Sequence, residues 1–231
     1  MNKDYLKILL FRTVGNFLVF SSLLVIGKTF APILFQELNY LYRQQRGVQT
    51  TVVAKAPSAA PKKLTKPNLF SSLVDRLSQT QEVLSPKDPN FSIIIPKIGA
   101  NSRVIANVDS GNYEDYIAAL KTGVAHARGT AFPGESGHIY LFAHSTDNVF
   151  NVGAYNAVFY LLYKLEPGDE IDIFYLGKRH LYKVLDKKVI NPDEVQYLTR
   201  SASDEFLTLQ TCWPPGTTLQ RMLIFASPVI E

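Results

Sequence analysis

Cys212 is the residue best suited to covalent chemistry, and it is the only cysteine in the chain. It ends the apolar run FLTLQTC and stands directly before a WPPG turn, where two prolines stiffen the backbone and a side chain sits at the rim of a sheet. One cysteine excludes an intramolecular disulfide and a zinc site built on cysteines. Three roles remain open to Cys212: a nucleophile, a partner in an intermolecular disulfide bridge, or a buried, inert thiol.

A cysteine nucleophile needs a cation or a base beside it, because a free thiol has a pKa of about 8.5 and attacks only as the thiolate. Arg221 follows nine residues later. If the strands on either side of the intervening turn are neighbours, its guanidinium faces the thiol and can stabilise a thiolate or an oxyanion. Of the four histidines, His144 ends the run HIYLFAH, at a strand end where functional side chains gather. His138 begins that run and is expected at the surface, while His126 and His180 are expected near turns or solvated edges.

The elements that must position these residues are short and β-rich. From residue 91 onward, seven or eight β-type runs alternate with turn signals, and YEDYIAALK is the one helix-like stretch before the middle. This pattern predicts a mostly β fold, a closed barrel or a sandwich, with a few short helices. No HExxH motif is present, so a zinc site is disfavoured, and we predict no cofactor and no required metal.

An apolar stretch precedes this β-rich body. Residues 13–27 carry no charge and are bounded by basic residues. Fifteen residues of helix span about 22 Å, short of a ~30 Å hydrocarbon core, but the span extends to Phe35 if Lys28 snorkels to the interface. Apolar side chains on all faces favour a transmembrane anchor over a buried core helix. No small-x-small site follows, as a cleaved signal peptide would require. We therefore expect a tail over 1–12 and an anchor over 13–35.

The orientation of the anchor does not follow from its flanking charges, which give a near tie under the positive-inside rule. A short N-terminal tail before a large C-terminal domain is the usual layout of a signal anchor. We therefore expect a single-pass protein of the cell membrane, with a cytoplasmic N-terminus and an extracytoplasmic body.

Residues 36–84 are expected to connect the anchor to a domain over 85–231. The first part, 36–46, is predicted to continue as a helix, and 47–67 reads as a flexible linker with three prolines. Leucines at i, i+4 and i+8 predict a short amphipathic helix over 69–84. These are Leu69, Leu73 and Leu77.

The net charge of +4 is unevenly distributed along the chain. Residues 1–84 hold eleven Lys/Arg and four Asp/Glu, a net of +7, whereas residues 85–231 hold thirteen and sixteen, a net of −3. A mildly acidic body argues against nucleic-acid binding. A basic N-terminal third fits a position beside anionic membrane lipid.

Three landmarks in order resemble the sortase family. TLQTC at 208–212 resembles the TLxTC signature of sortases, and Arg221 matches the arginine of the next strand. The stretch TGVAHARGTAFPGESGHIYLFAHS (122–145) resembles the sortase segment that ends in the catalytic histidine, which corresponds to His144. The short loop between cysteine and arginine favours a class D or E-like sortase.

The resemblance implies a sortase-type β-barrel of about eight strands and the activity of a cysteine transpeptidase. Cys212, His144 and Arg221 would be the catalytic residues, and Thr211, Val195 and Leu198 would contribute to substrate binding. The implied substrates are secreted proteins with a C-terminal LPxTG-like sorting signal. The implied acceptor is an amine on a peptidoglycan precursor or a pilin subunit.

Two other classes of function use the same residues differently. A membrane-anchored cysteine hydrolase would share the nucleophile and the histidine but release its product to water. A non-enzymatic surface binding module would leave Cys212 buried and unreactive.

Overall fold

A computed structural model of the protein describes residues 3–53, 81–145 and 157–229. The chain divides into two compact units, Met1–Arg43 and Gln44–Glu231.

The first unit consists of a single long helix, α1 (Lys3–Gln45), whose last residues extend into the second unit. Its stretch Asp4–Gly27, 24 residues with a mean hydropathy of 1.9, is the one segment among the described residues that is long and apolar enough to cross a membrane. At 1.5 Å per residue it measures about 36 Å, more than a bilayer core requires. This stretch begins earlier than the predicted anchor over 13–35. The predicted helical continuation over 36–46 is confirmed as far as Gln45.

Two short strands follow where the sequence predicted a linker and a helix. Strands β1 (Gln49–Val52) and β2 (Gln81–Leu84) pair in parallel, with Thr51 opposite Val83. The prediction of a linker over 47–67 is therefore wrong for β1, and that of a helix over 69–84 is wrong for β2. Hydrogen bonding between segments far apart in sequence overrides local propensity here. The remainder of both predictions, including Leu69, Leu73 and Leu77, lies outside the described residues.

The second unit contains a closed barrel, as the sequence predicted. Eight strands of the described residues form it: β3 (Phe91–Ile95), β4 (Ala100–Val108), β5 (Val124–Ala127), β6 (His138–Phe142), β7 (Glu170–Tyr175), β8 (Lys178–Ile190), β9 (Phe206–Trp213) and β10 (Gln220–Pro228). Around the barrel their order is β10–β8–β7–β3–β4–β5–β6–β9. β6 and β9 are parallel, whereas β9 and β10 are antiparallel.

Short helices decorate the barrel. They are α2 (Tyr113–Thr122), α3 (Gln196–Thr199) and two 3-10 helices, Pro96–Ile98 and Tyr160–Lys164. Asn112 caps the start of α2, and its side-chain oxygen accepts hydrogen bonds from the Glu114 and Asp115 N–H groups. The helix ends at Gly123, where any Cβ would lie 2.5 Å from the Arg103 carbonyl oxygen of β4. Only a glycine permits so close an approach between the end of α2 and the barrel wall.

The two faces of β6, β9 and β10 have different environments. One face carries Leu141, Leu209 and Ile224, which are opposite one another in register and fully buried; we call it the core face. The opposite face carries Phe142, Gln210, Cys212 and Arg221, and we call it the site face. The segment 191–205 packs over part of the site face, where Tyr197 and Phe206 contact the buried cluster of Ile190, Leu223 and Phe225.

Candidate active site

Cys212 and Arg221 face each other across two neighbouring strands. The antiparallel register of β9 and β10 pairs them directly. Side chains of directly opposed residues project from the same face, with Cβ atoms about 5 Å apart. The juxtaposition predicted from the nine-residue spacing is therefore confirmed.

His144 approaches the same place from β6. Phe142 lies opposite Gln210 of β9, and the N–H of Ala143 donates to the Gln210 carbonyl oxygen at 3.1 Å. Extended two residues beyond Phe142, this parallel register sets the backbone of His144 beside that of Cys212. His144 is half-buried at this strand end.

Thr211 lies on the core face, next to Cys212 in sequence but on the other side of the sheet. Its buried hydroxyl donates to the Ala143 carbonyl oxygen at 3.0 Å. This bond fastens β9 to the chain just before His144. The hydroxyl thus acts on the backbone that positions His144, and it points away from the site face.

Two features of the surroundings of the half-buried Cys212 shift the pKa of its thiol in opposite directions. Burial raises the pKa of Cys212, because it disfavours the charged thiolate, and the guanidinium of Arg221 lowers it. Burial is the larger effect, so the net direction is upward. The protonated thiol is therefore the favoured form at neutral pH.

Arg221 is held in place by its own loop. Its Nη1 donates to the carbonyl oxygens of Thr218 and Gln220, each at 3.0 Å. A guanidinium has five N–H donors in a planar fork, and these two bonds engage one nitrogen. The anchored cation thus stands at a fixed position opposite the thiol.

A row of polar side chains continues along the site face, away from Cys212. The Thr208 hydroxyl lies 2.8 Å from His138 Nε2, and the Tyr140 hydroxyl donates to the Gln210 side-chain oxygen at 2.5 Å. Each pair connects β6 with β9. The floor of the site is therefore braced across the two strands that lead to His144 and Cys212.

Two histidines that were expected at exposed positions are buried instead. His138 is 5% exposed, because its ring packs near Phe206 at 6.0 Å beneath the covering segment 191–205. Burial, followed by the charge of Arg200, lowers the pKa of His138 to about 4. His126 is fully buried on β5. His180 is half-buried, and its ring lies against Gly134.

The predicted substrate-binding residues Val195 and Leu198 lie on one turn of the covering segment. Val195 is 61% exposed and Leu198 is half-buried, and the Leu198 N–H donates to the Val195 carbonyl oxygen at 2.9 Å. The same segment is fixed to the barrel by Arg200, whose guanidinium lies 4.0 Å from the centroid of the Phe206 ring.

Tyr116 is a site residue that the sequence did not indicate. It lies on α2, and its ring stacks on Phe142 with centroids 5.6 Å apart and an interplanar angle of 13°. Burial raises the pKa of its phenol; Cys212 raises that pKa further and Arg221 lowers it. Nothing in the spacing of a tyrosine so far from Cys212 in sequence reveals this approach.

The described residues contain no group of three or more His, Cys, Asp or Glu side chains that could hold a metal ion. The described arrangement supports the chemistry of a thiol with a cation opposite it and a histidine at the adjoining strand end.

A family model described as "Sortase domain" matches residues 93–229. Sortase D of Bacillus subtilis (strain 168) is 27% identical over 138 residues, which are 58% of this chain and 61% of that protein. This chain thus aligns with about three fifths of that relative's length.

Solved structures of sortases have the same fold. The structure of Streptococcus agalactiae sortase C1 is 28% identical with a TM-score of 0.51, covering 61% of this chain and 67% of that one. Sortase C-1 from Actinomyces oris is 26% identical with a TM-score of 0.51, covering 70% of this chain and 83% of that one.

Proposed function

Because this chain belongs to the sortase family, we propose that it is a membrane-anchored cysteine transpeptidase. It cleaves an LPxTG-like sorting signal through a thioester on Cys212 and transfers the cleaved protein to an amine. The observation that supports this most strongly is the direct pairing of Cys212 with Arg221, beside the strand end that carries His144.

In the first half-reaction, the Cys212 thiolate attacks the carbonyl carbon between Thr and Gly of the sorting signal. The carbonyl electrons move to oxygen, and the anchored Arg221 guanidinium stabilises that oxyanion. His144, as an imidazolium, gives its proton to the departing Gly amine, and the C–N bond breaks as the carbonyl re-forms. The products are a thioester on Cys212 and the released C-terminal peptide.

In the second half-reaction, an amine attacks the thioester carbonyl while neutral His144 takes its proton. The C–S bond breaks and a new amide bond forms, which returns Cys212 as thiolate and His144 as imidazolium. Two moderate barriers thereby replace one direct amide exchange. The raised thiol pKa favours a resting enzyme in which a minority of molecules carry the thiolate–imidazolium pair.

The site face between β6, β9 and the covering segment is the proposed binding groove. Val195 and Leu198 offer apolar surface for the Leu-Pro end of the signal. Thr211 acts indirectly, because its hydroxyl holds the Ala143 backbone next to His144. The polar side chains of the floor hold β6 against β9 beneath this groove.

The proposed partners are secreted proteins with a C-terminal sorting signal and an amine acceptor, either a cell-wall precursor or a pilin subunit. The proposed location is the cell membrane, with α1 as a single-pass anchor, a cytoplasmic N-terminus and the barrel outside. The similarity to Sortase D is consistent with a class D or E-like enzyme.

Product analysis separates this function from its alternatives. The full chain in detergent is incubated with an LPxTG-like peptide, with and without an amine such as triglycine. We expect the Thr-amine ligation product in the presence of the amine, and none from Cys212→Ala. Release of free acid alone, at a rate unaffected by amine, would identify a hydrolase. No turnover of any sorting-signal peptide and no labelling of Cys212 by small electrophiles would identify a binding module.

A further inference from the structure

Residues 157–166 contain the 3-10 helix Tyr160–Lys164 and lead into β7; we call them the bridging segment. Three of its apolar side chains, those of Phe159, Leu162 and Leu165, are fully buried. The Leu162 N–H donates to the Phe159 carbonyl oxygen at 3.3 Å, and the Leu165 N–H donates to that of Leu162 at 3.0 Å. The bridging segment is therefore a packed element and not a loose surface connection.

Lys187 of β8 holds the C-terminal end of the bridging segment. Its ammonium donates to the carbonyl oxygens of Tyr163 and Leu165, each at 3.0 Å, and to the Glu166 carboxylate at 2.8 Å. An ammonium group has three N–H donors, so these bonds engage all of them. Because β8 is itself part of the barrel, the barrel wall fixes this segment independently of the active site.

The bridging segment contacts both strand ends that carry the proposed catalytic residues. The Phe159 N–H donates to the His144 carbonyl oxygen at 3.3 Å. Four residues later, the ring of Tyr163 meets that of Trp213, with centroids 5.4 Å apart and an interplanar angle of 50°. Trp213 directly follows Cys212 at the end of β9. One packed element thus touches the backbone of the histidine and the neighbour of the nucleophile.

We infer that Tyr163 and Trp213 are positioning residues, whose ring contact holds the end of β9 at a set distance from His144. The Thr211 hydroxyl fastens the same strands one residue before the nucleophile, whereas the ring contact acts one residue after it. Such support matters because a displacement of about 1 Å between reacting groups can cost about a hundredfold in rate. The inference rests on the proposed roles of Cys212 and His144.

The contact is directly observable, because Trp213 is the only tryptophan in the chain and is half-buried. In Tyr163→Leu the indole loses the neighbouring ring, and its fluorescence emission should move to longer wavelength as water reaches it. Tyr163→Phe keeps the ring and should keep the parent spectrum. An unchanged emission maximum in Tyr163→Leu would show that the two rings do not meet in solution and would overturn the inference.

The effect on the nucleophile is measured on the full chain in detergent, without any substrate. Cys212 is alkylated by iodoacetamide at neutral and at alkaline pH, and the ratio of the two rates reports how well its surroundings stabilise the thiolate. We expect this ratio to fall about tenfold in Tyr163→Leu, because a displaced thiolate loses its proposed imidazolium partner, and an opposite charge shifts a pKa by about one unit or more. Trp213→Leu removes the same contact from the other side and should lower the ratio equally.

Cleavage of an LPxTG-like peptide supplies a second readout. The kcat of Tyr163→Leu should fall at least about tenfold while KM changes less than about twofold, because the reacting groups are misplaced and the groove keeps its lining. Tyr163→Phe should restore the parent kcat.

Tyr175→Leu is the matched control, since it also removes a half-buried tyrosine ring from an aromatic contact. The Tyr175 ring lies 5.1 Å from the rings of Phe91 and Phe132, at the end of β7 farther from the bridging segment. This variant should lower the melting temperature, yet keep the emission, the alkylation ratio and the kcat of the parent protein.

Melting temperatures recorded for every variant establish that folded protein is measured. A parent-like alkylation ratio and kcat in folded Tyr163→Leu or Trp213→Leu would overturn the inference, as would equal losses in Tyr175→Leu or in Tyr163→Phe. Changed emission and a lowered alkylation ratio, in a series whose parent protein cleaves no sorting-signal peptide, would support the ring contact and place the error in the proposed substrate.

Discussion

At the scale of residues, the reactivity of Cys212 depends on a balance between burial and charge. Burial raises the pKa of its thiol, and the opposed Arg221 partly reverses that effect. In the proposed reaction, the same cation would also stabilise the oxyanion that forms on a carbonyl attacked by the sulfur. Arg221 is thus expected to act twice, on the nucleophile and on the intermediate.

Replacing Arg221 separates these two effects. In Arg221→Ala the thiol loses the charge that lowers its pKa, so the alkylation midpoint of Cys212 should move to higher pH. The kcat/KM for peptide cleavage should fall about a hundredfold, as expected for loss of an oxyanion donor. Arg221→Lys keeps the charge but not the planar fork. It should restore much of the alkylation profile and little of the kcat/KM.

Alkylation against pH and steady-state cleavage, measured on all three proteins, check this prediction. An Arg221→Ala protein with an unshifted profile and full cleavage would show that the cation has neither role.

At the scale of elements, the contacts that connect the ends of β6 and β9 hold the backbone that leads to His144. We call this set of contacts the joint. Strand pairing ends at Phe142, and the next residues are fastened by the Ala143 N–H and by the hydroxyl of Thr211. The Tyr140–Gln210 bond braces the same two strands on the opposite face. The strand end that carries His144 is therefore held by contacts on both faces of the sheet.

Thr211→Val tests the joint with little change in shape. It leaves the buried Ala143 carbonyl without its donor, so the free energy of unfolding should drop by about 1–3 kcal/mol. The kcat for cleavage should fall as well, because the backbone before His144 is no longer held. Thr217→Val is the control, since its hydroxyl makes a similar bond to the Pro214 carbonyl oxygen at 2.8 Å in an exposed turn. Its cost should stay within about 0.5 kcal/mol.

Unfolding curves and cleavage rates for the two variants provide the comparison. Equal stability losses at Thr211 and Thr217, or full activity of Thr211→Val, would remove the special role of this joint.

Much of this arrangement is predictable from local sequence patterns. Alternating apolar residues and Pro-Gly turns identify β7 to β10, and the nine-residue spacing across a tight turn fixes Arg221 opposite Cys212. Other features depend on contacts between distant segments, which no local pattern encodes. The β1–β2 pair, the burial of His138 under the covering segment and the stacking of Tyr116 on Phe142 all belong to this second kind.

At the scale of the molecule, charge and hydropathy separate along the chain. The first 84 residues carry a net charge of +7 and include the apolar helix α1, whereas the remainder carries −3. Basic residues near an apolar helix favour an anionic membrane surface. This division fits the proposed attachment of the barrel to a membrane through α1.

The single cysteine makes the predicted topology directly measurable. In intact cells, a small membrane-impermeant thiol reagent should label Cys212, because the barrel is expected outside. Cys212→Ala supplies the background, and permeabilised cells supply the full signal. Labelling that appears only after permeabilisation would reverse the proposed orientation.

The central claim is that Cys212 carries the acyl group of a sorting signal. Mass spectrometry of the intact protein, after incubation with a set of LPxTG-like peptides in the absence of added amine, tests it most directly. We predict a mass increase equal to the peptide up to its Thr, located on Cys212 by proteolysis and discharged by hydroxylamine or by an added amine. Peptide cleavage without any adduct on Cys212, or cleavage that persists in Cys212→Ala, would contradict the claim.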